Sequence, residues 1–467
     1  MLRAHTVQAV RGAEAALMAR TGDGELMRRA ARGLADALDD VPAGELLLVL
    51  VGPGNNGGDA LFAAAHLLDR GVRVDLCLLD ADAVHAEGLA GATAAGARVV
   101  DAPGGHRWVL DGILGIGARP GLRDRAARWA EWIAENRPFV VSVDVPSGVD
   151  VDEGTTPGPH VAADRVVTFG THKVASLVDP AASVGGPRLP HLVDIGLDPL
   201  LPAPTLEAIE DTDGAAWAAR LHPEAQTHKY GRGVVGIAAG SELYAGAAHL
   251  CVAGAQAGPV GMLRFVGSQA LSARVVDRAP EVVAGRGRVQ AWVVGPGAGD
   301  DVGERLADAW QDGVPVVVDA GALQHLPEPV PAPALLTPHA GELAAMLDVD
   351  RDDVEAAPLE HARRAAERWR ATVLLKGRRT LVVGPDGPVR VNLSGTPWLA
   401  TAGAGDVLAG LAGSLLAAGL EPLDAGSLAA FWHGRAAQAA NPGGPIVASD
   451  VAAALPRTVA RFLGDSR

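Results

Sequence analysis

Leu46-Leu47-Leu48-Val49-Leu50-Val51 runs directly into Gly52-Pro53-Gly54-Asn55-Asn56-Gly57-Gly58-Asp59. Six apolar residues without alternation suit a strand buried on both faces, as in a parallel sheet. The glycines that follow permit a sharp turn into the Ala-rich stretch 60–69, where a helix is expected. Upstream, Leu26, Met27, Ala30, Leu34 and Leu38 fall on one face of a helix over 25–38. Downstream, strands are expected at 72–79, 108–111, 139–144 and 165–169, with helices near 84–95 and 124–136. Strand–helix alternation at this spacing predicts an α/β fold whose parallel sheet is wrapped by helices.

The stretch 196–210 carries Pro199, Pro202 and Pro204 and reads as an irregular linker. The alternation then restarts, with strands expected at 234–239, 261–266, 291–294, 314–319, 334–337, 372–376 and 380–383. Pro385-Asp386-Gly387 suggests a hairpin into 389–391, and Ala- and Leu-rich helices close the chain. At 467 residues the chain exceeds a single core, so two α/β domains are expected, over 1–205 and 215–467.

The net charge is −15 and no basic run stands out, which sets nucleic acid aside as a partner. Two distant cysteines, Cys77 and Cys251, are too few for a disulfide framework or a zinc site and read as small buried apolar residues. Residues 1–20 lack a continuous apolar core, so no secretory leader is expected. Leu46 to Val51 is far short of the roughly 18 residues of a membrane span, so a soluble cytoplasmic protein without a membrane partner is expected.

A helix beginning near Ala60 would aim its first amides at whatever fills the 52–59 loop, which favours phosphate. The loop matches neither GxGxxG nor GxxxxGK[ST]. A tight strand–helix turn explains the glycines, but not two adjacent Asn and an Asp. WVLD ends in Asp111 and runs into Gly112-Ile113-Leu114-Gly115-Ile116-Gly117, while FVVSVD ends in Asp144 and runs into Val145-Pro146-Ser147-Gly148. Ligands of open parallel sheets bind beyond the carboxyl ends of strands, so Asn56, Asp111, Asp144 and Ser147 are expected to converge. Each aspartate alone is also a common helix cap or turn former.

GPGNNGGD, DGILGIG and DVPSG together resemble the NAD(P)H-hydrate epimerases, the YjeF N-terminal type, over roughly residues 20–195. The resemblance implies a Rossmann-like three-layer domain that interconverts the R and S forms of cofactor hydrated at the nicotinamide ring. It implies contact with that cofactor by Asn55, Asn56, Gly57, Gly58 and Asp59, by Gly115, Ile116, Gly117, Ala118, Arg119, Pro120 and Gly121, and by Asp144. It implies a potassium ion held by Asn56, Asp111 and Ser147, all hard oxygen donors. Asp144 is the candidate for acid–base work at the epimerised carbon. Ala60 stands where the family usually has Gly.

In the second half, Thr401-Ala402-Gly403-Ala404-Gly405-Asp406 precedes the apolar VLAGLAGSLLAAG. A helix starting at or just before Asp406 would turn the amides of Ala404, Gly405 and Asp406 into an anion hole. Asp406 at its mouth is placed to take a proton from an attacking hydroxyl, although Asp is also an ordinary helix cap. Gly295-Pro296-Gly297-Ala298-Gly299 follows AWVV, VVVD ends in Asp319, and Leu336-Thr337-Pro338-His339-Ala340-Gly341-Glu342 follows a further strand. Here His339 reads about equally as a functional residue or as a core or capping histidine. Lys376-Gly377-Arg378-Arg379-Thr380 offers cations to nucleotide phosphates, or a solvated hairpin.

With His228-Lys229-Tyr230, Arg232-Gly233, Ala238 to Ser241, Tyr244 and Gly246-Ala247, these motifs resemble the ribokinase-like ADP-dependent NAD(P)H-hydrate dehydratases over roughly 222–455. The resemblance implies a ribokinase-like three-layer domain. It implies hydrated-cofactor binding by Ala247, Gly297, Gly299, His339 and Asp406, and nucleotide binding by Lys376, Gly377, Arg378, Arg379, Thr380 and Gly405. Gly321, Ala340 and Ala404 stand where the family usually has Asp, Pro and Thr. Anion-hole amides do not depend on the side chain at 404, so activity is expected to survive.

The implied enzyme repairs NAD(P)H hydrate. It epimerises the R and S forms, then dehydrates the S form as Asp406 activates the ring hydroxyl against ADP with its Mg²⁺, releasing AMP and phosphate. The family's habit of forming homo-oligomers extends the expectation to a second copy of the chain. One alternative is a ribokinase-like kinase of a small alcohol, which would release a stable phosphorylated product. Another is a first domain that binds a ligand without turnover.

Overall fold

The computed structural model describes all residues except 23, 388 and 465–467. They fall into two compact units, Arg3–Leu206 and Glu207–Arg467 with Met1–Leu2. The fold is mixed α/β with a largely parallel sheet in each unit.

In the unit Arg3–Leu206, seven parallel strands lie in the order Arg98–Val99, Arg73–Leu78, Leu46–Val51, Trp108–Gly112, Phe139–Val143, Arg165–Phe169, His191–Val193. The unbroken apolar run 46–51 is explained by its place. Leu47, Val49 and Val51 pack into one core and Leu48 and Leu50 into the core on the opposite face. Helices Val7–Thr21, Glu25–Asp36 and Asn55–Asp69 cover the first face, while Asp124–Asn136 covers the second through Trp129, Ala130 and Ile133.

The helix after the glycine loop starts at Asn55, not near Ala60 as the sequence suggests. Gly54, at φ +82°, makes the turn, and the two glycines that read as loop sit inside the first helical turn. Gly57 is there for proximity: a Cβ on it would lie 2.1 Å from the Gly52 carbonyl oxygen. The 196–210 stretch also differs from expectation, holding a 3₁₀ turn Asp198–Leu200 and a strand Leu206–Ala208.

In the second unit, seven parallel strands run Val283–Ala284, Met262–Phe265, Val234–Ala238, Ala291–Val294, Val316–Val318, Ala334–Leu336, Thr372–Leu375. The antiparallel strands Thr380–Val383 and Val389–Asn392 extend that edge, with Val383 opposite Val389 as the hairpin signal implied. Helix Ala404–Ala417 is buried along nearly its whole length. Its glycines allow backbone approach to helix Ala245–Gln256: a Cβ on Gly410 would lie 1.9 Å from the Cys251 carbonyl oxygen, and one on Gly254 2.1 Å from that of Val407. Both cysteines are buried and unpaired. No described helix is long and apolar enough to cross a membrane.

Candidate active sites

Within each run of parallel strands the order reverses at one point, and ligands of open α/β sheets bind beyond the strand ends there. In the unit Arg3–Leu206 the reversal lies between the neighbours Leu46–Val51 and Trp108–Gly112. The glycine loop and the Asp111–Gly117 stretch therefore emerge side by side. A Cβ on Gly115 would lie 3.0 Å from the Asn56 amide oxygen. The Gly121 amide donates to the Gly148 carbonyl at 2.8 Å, tying the 115–121 turn to the segment after Asp144. Ala118 donates to the Gly115 carbonyl at 3.2 Å and closes that turn, Ile116 packs on the core beneath it, and Gly117 and Arg119 are exposed.

Asp111 is wholly buried and accepts from Ser147 Oγ at 2.6 Å, Ser142 Oγ at 2.7 Å, the Ser147 amide at 3.0 Å and the Ile113 amide at 3.3 Å. All these donors are neutral. Burial pushes the Asp111 carboxyl above its usual range, against the pull of those hydrogen bonds. Beside the Asp111 loop, Asn56 is 8% exposed and its Nδ2 has no hydrogen-bond partner among the described residues. A buried carboxylate with only neutral partners, beside hydroxyl and amide oxygens, is a donor set that suits a hard monovalent cation.

Asp144 has φ +67°, uncommon for a non-glycine residue. Its Oδ1 accepts from Thr168 Oγ1 at 2.9 Å, from the Phe169 amide at 3.4 Å and from the ammonium of Lys173. Lys173 is 1% exposed and also donates to Thr168 Oγ1 at 2.9 Å and the Phe169 carbonyl at 3.0 Å. Sequence reading missed Lys173. The signal was a lysine directly ahead of Val174-Ala175 and close to Leu177-Val178, an apolar setting that calls for a buried counter-charge.

Asp59 ends the first turn of helix Asn55–Asp69, and its Oδ1 is shut off from solvent without a hydrogen-bond partner. Burial, then the charges of Asp144 and Glu14, drive its carboxyl well above the usual range, while Lys173 pulls the other way. The Asn55, Asn56 and Gly57 amides make no backbone hydrogen bond among the described residues; the first helical one is Gly58 to the Gly54 carbonyl at 3.1 Å. Three open amides at a helix start favour an anion.

In the second unit the order reverses between Val234–Ala238 and Ala291–Val294. Gly297, at φ +58°, lies against helix Ala245–Gln256: a Cβ on it would lie 2.4 Å from Ala247 Cβ. Gly299 follows, with its Cβ position 3.5 Å from Ser241.

Helix Ala404–Ala417 begins after Gly403, at φ +88°. Among the described residues, the backbone bonds here are Ala404 to the Thr401 carbonyl at 3.4 Å and Val407 to the Gly403 carbonyl at 3.3 Å. The Gly405 and Asp406 amides stay open. Lys376 Nζ lies 3.4 Å from the Cβ position of Gly405, which places a cation beside them. Lys376 donates to Asp319 Oδ1 at 2.9 Å and sits 3.6 Å from Glu342 Oε2. Burial opposes its charge, but Asp319 and Glu342 outweigh burial and hold the ammonium above its usual range. Burial, reinforced by Asp319 and eased by Lys376, pushes Asp406 up to about 6. His433 is buried, and burial lowers its imidazole to about 4 while the Ala404 backbone pulls the other way.

His339 caps helix Ala340–Leu347: its Nδ1 accepts from the Glu342 amide at 3.1 Å while Glu342 accepts from the His339 amide at 2.7 Å. The capping reading therefore holds; the side chain is 58% exposed, with Nε2 3.6 Å from Glu342 Oε1. In the 376–380 segment, Gly377 and Arg378 are exposed, and Thr380 bonds the Gly377 carbonyl at 3.4 Å. Asp319 and Glu342 lay inside quoted motifs, yet were not read as parts of the site. Nothing local foretold that Lys376 would reach across to them.

The family model described as NAD(P)H-hydrate dehydratase matches residues 235–456, and that of the YjeF-related protein N-terminus matches 23–175. The bifunctional NAD(P)H-hydrate repair enzyme Nnr of Mycobacterium leprae is 41% identical, over 94% of this chain and 94% of that protein. The chain belongs to the bifunctional NAD(P)H-hydrate repair enzyme family. The Corynebacterium glutamicum family member is 35% identical over 88% of this chain and 86% of its own. The crystal structure of the ADP/ATP-dependent NAD(P)H-hydrate dehydratase from Bacillus subtilis, co-crystallized with ATP/Mg²⁺, superposes with TM-score 0.51 at 27% identity. It covers 54% of this chain and 97% of that one. The second unit thus has the fold of that dehydratase, and the first carries the other half of the family's organisation.

Proposed function

We propose that this chain returns hydrated NAD(P)H to the reduced cofactor in two stages, one in each unit. The first interconverts the R and S hydrates. The second dehydrates the S form, converting ADP to AMP and phosphate. The observation that carries the reading is the Asp406 junction, where a carboxylate raised to about 6 stands beside two open helix amides and the Lys376 ammonium.

The S-hydrate binds with its ring hydroxyl toward Asp406, bounded by Ala247, Gly297, Gly299 and His339. Asp406 takes the hydroxyl proton, which a group with a pKa of about 6 can do at neutral pH. The hydroxyl oxygen then bonds to the terminal phosphorus of ADP as the bond to the AMP oxygen breaks. The Gly405 and Asp406 amides and Lys376 meet the charge that develops on the phosphoryl oxygens. Gly377, Arg378, Arg379 and Thr380 hold the nucleotide. The new phosphate ester is a far better leaving group than hydroxide; the ring nitrogen's lone pair expels it, and loss of a proton from the adjacent carbon to water restores the ring double bond. Mg²⁺, bound with ADP, lowers the charge repulsion between phosphates and hydroxyl.

In the first unit, the open amides of Asn55 to Gly57 take a phosphate of the hydrated cofactor, and the 115–121 turn with Asp59 and Asp144 encloses its ring. Asp144, held by Lys173, handles a proton at the epimerised carbon. Asn56, Asp111 and Ser147 would hold a potassium ion, whose positive charge would offset that of the Asp111 carboxylate. The reading is tested by stoichiometry: one AMP and one phosphate appear for each NADH regenerated from S-hydrate, and a stable phosphorylated hydrate in place of NADH would refute it.

A further inference from the structure

Buried polar groups of a folded chain are almost always hydrogen-bonded, so those left open at a site call for a ligand. In the unit Arg3–Leu206 the buried side-chain atoms without a hydrogen-bond partner among the described residues are Asn56 Nδ2, Asp59 Oδ1 and His172 Nδ1. Two of the three lie at the start of helix Asn55–Asp69. One is a donor and the other an acceptor.

Helical spacing puts these two side by side. Residues three apart on a helix share a face, with about 5–6 Å between their Cβ atoms. The neighbouring residues show which face it is. A Cβ on Gly57 would meet the Gly52 carbonyl, and one on Gly58 would lie 3.1 Å from Met27 Cε. Both glycines thus turn to the preceding loop and to helix Glu25–Asp36. Asn56 turns to the Asp111–Gly117 stretch, where a Cβ on Gly115 would lie 3.0 Å from its Oδ1. Ala60, next to Asp59, meets the same stretch, 2.7 Å from the Cβ position of Gly112. With Oδ1 on that stretch, Nδ2 is the atom left for a ligand.

No protein cation answers Asp59. Lys173 spends its three protons on Asp144 Oδ1, Thr168 Oγ1 and the Phe169 carbonyl. Asp59 Oδ1 accepts in either protonation state, because a protonated carboxyl keeps one carbonyl oxygen. The pair also opens beside the candidate acid–base group. Leu114, adjacent to Gly115, donates to Ser147 Oγ at 2.9 Å, three residues beyond Asp144. The reacting ring of a hydrated nicotinamide has to lie there. That ring carries a primary carboxamide, which hydration of the remote ring bond leaves intact. Its carbonyl accepts and its NH2 donates.

We infer that Asn56 Nδ2 and Asp59 Oδ1 together hold this carboxamide, Asn56 donating to its carbonyl oxygen and Asp59 accepting from its NH2. The inference rests on the epimerase reading of the first unit. The carboxamide-bearing carbon and the hydroxyl-bearing carbon face each other across the six-membered ring. A carboxamide held at the helix start therefore directs the reacting carbon away from the helix and stops the ring from turning about its bond to the ribose. The recognised group is also remote from the inverted carbon, so R and S forms are held alike, as interconversion requires.

The test uses the full chain without ADP and two substrates. One is NADH hydrate. The other is the hydrate of reduced 3-acetylpyridine adenine dinucleotide, in which a methyl group replaces the amide NH2 and the carbonyl stays. Conversion of R to S is followed for both, and Kd is measured by calorimetry so that variants need not turn over. Wild type should convert NADH hydrate and bind the acetyl hydrate about 100-fold more weakly. Asp59→Ala, checked for folding by its melting transition, should weaken NADH hydrate and bring the two Kd values within about 3-fold of each other. Asn56→Asp keeps an oxygen on the Asp111 stretch and removes the donor. It should weaken both hydrates by a similar factor, because each has the carbonyl. Equal wild-type affinities, which recognition of the adenine edge by the same pair would give, overturn the carboxamide assignment without any variant. So does discrimination that persists in folded Asp59→Ala, or an Asn56→Asp variant that binds both hydrates as wild type does. Each of these leaves the epimerase reading intact. A wild-type chain that does not interconvert the NADH hydrates would sink that reading itself.

Discussion

Lys376 Nζ donates to Asp319 Oδ1 at 2.9 Å while lying 3.4 Å from the Cβ position of Gly405. One ammonium thereby neutralises a buried carboxylate and faces the open amides at the start of helix Ala404–Ala417. It also bears on the pKa of Asp406, which burial and then Asp319 raise and Lys376 lowers.

Replacing Lys376 by Met should therefore change more than nucleotide affinity. Asp319, 2% exposed, loses its counter-charge, and breaking such a pair costs about 3–5 kcal/mol. With the lowering influence gone, Asp406 holds its proton to higher pH. The acid limb of kcat/KM for dehydration should then move upward from near pH 6. A pH–rate profile measured with saturating ADP checks this, and an unmoved limb would detach Lys376 from Asp406.

Asp406→Asn should abolish dehydration, a loss of about 100-fold or more, and leave R–S interconversion at its wild-type rate. It should also stabilise the fold. A carboxyl raised in the folded state binds its proton more tightly there than in the unfolded chain. Stability is therefore lost as pH rises through the window from 3.8 to about 6. At about pH 8 the variant should exceed wild type by about 2 kcal/mol, and at about pH 4 the difference should vanish. Melting curves at the two pH values decide it.

Lys173→Met should remove epimerase activity and leave ADP-dependent dehydration of the S form unchanged. Lys173 is 1% exposed and Asp144 is 8% exposed, so the orphaned charge should cost about 3–5 kcal/mol in the unit Arg3–Leu206. Separate assays of the two activities, with a melting curve, test both parts. Loss of both activities in a folded variant would contradict independent sites.

Potassium should stabilise the wild-type chain relative to a large organic cation at equal ionic strength. Binding at 100 times Kd adds about 2.7 kcal/mol, a shift of about 5–10 °C for a unit of this size. Ser147→Ala, which removes the 2.6 Å partner of Asp111, should lose most of that shift. Equal melting temperatures in the two salts would remove the cation from Asn56, Asp111 and Ser147.

Most of the fold was legible because its strands sit in the middle of parallel sheets, where both faces are buried and the sequence is uniformly apolar. Leu46–Val51 and Arg165–Phe169 appear where the pattern put them. The start of helix Asn55–Asp69 was hidden because glycine reads as loop, whereas Gly57 serves close packing against Gly52. The strand-end aspartates 111 and 144, the helix-start Asp406 and the histidine cap at 339 were visible from local motifs. Their partners Lys173 and Asp319 were not, because each is brought in from a distant element and carries no periodic signal.

The most direct test of the account incubates the purified chain with a mixture of R- and S-NADH hydrates, with and without ADP and Mg²⁺, and follows reduced-nicotinamide absorbance. The account predicts recovery of the entire mixture as NADH when ADP is present, and none without it. Recovery that stops at the S fraction, or ADP consumption without NADH, would contradict it.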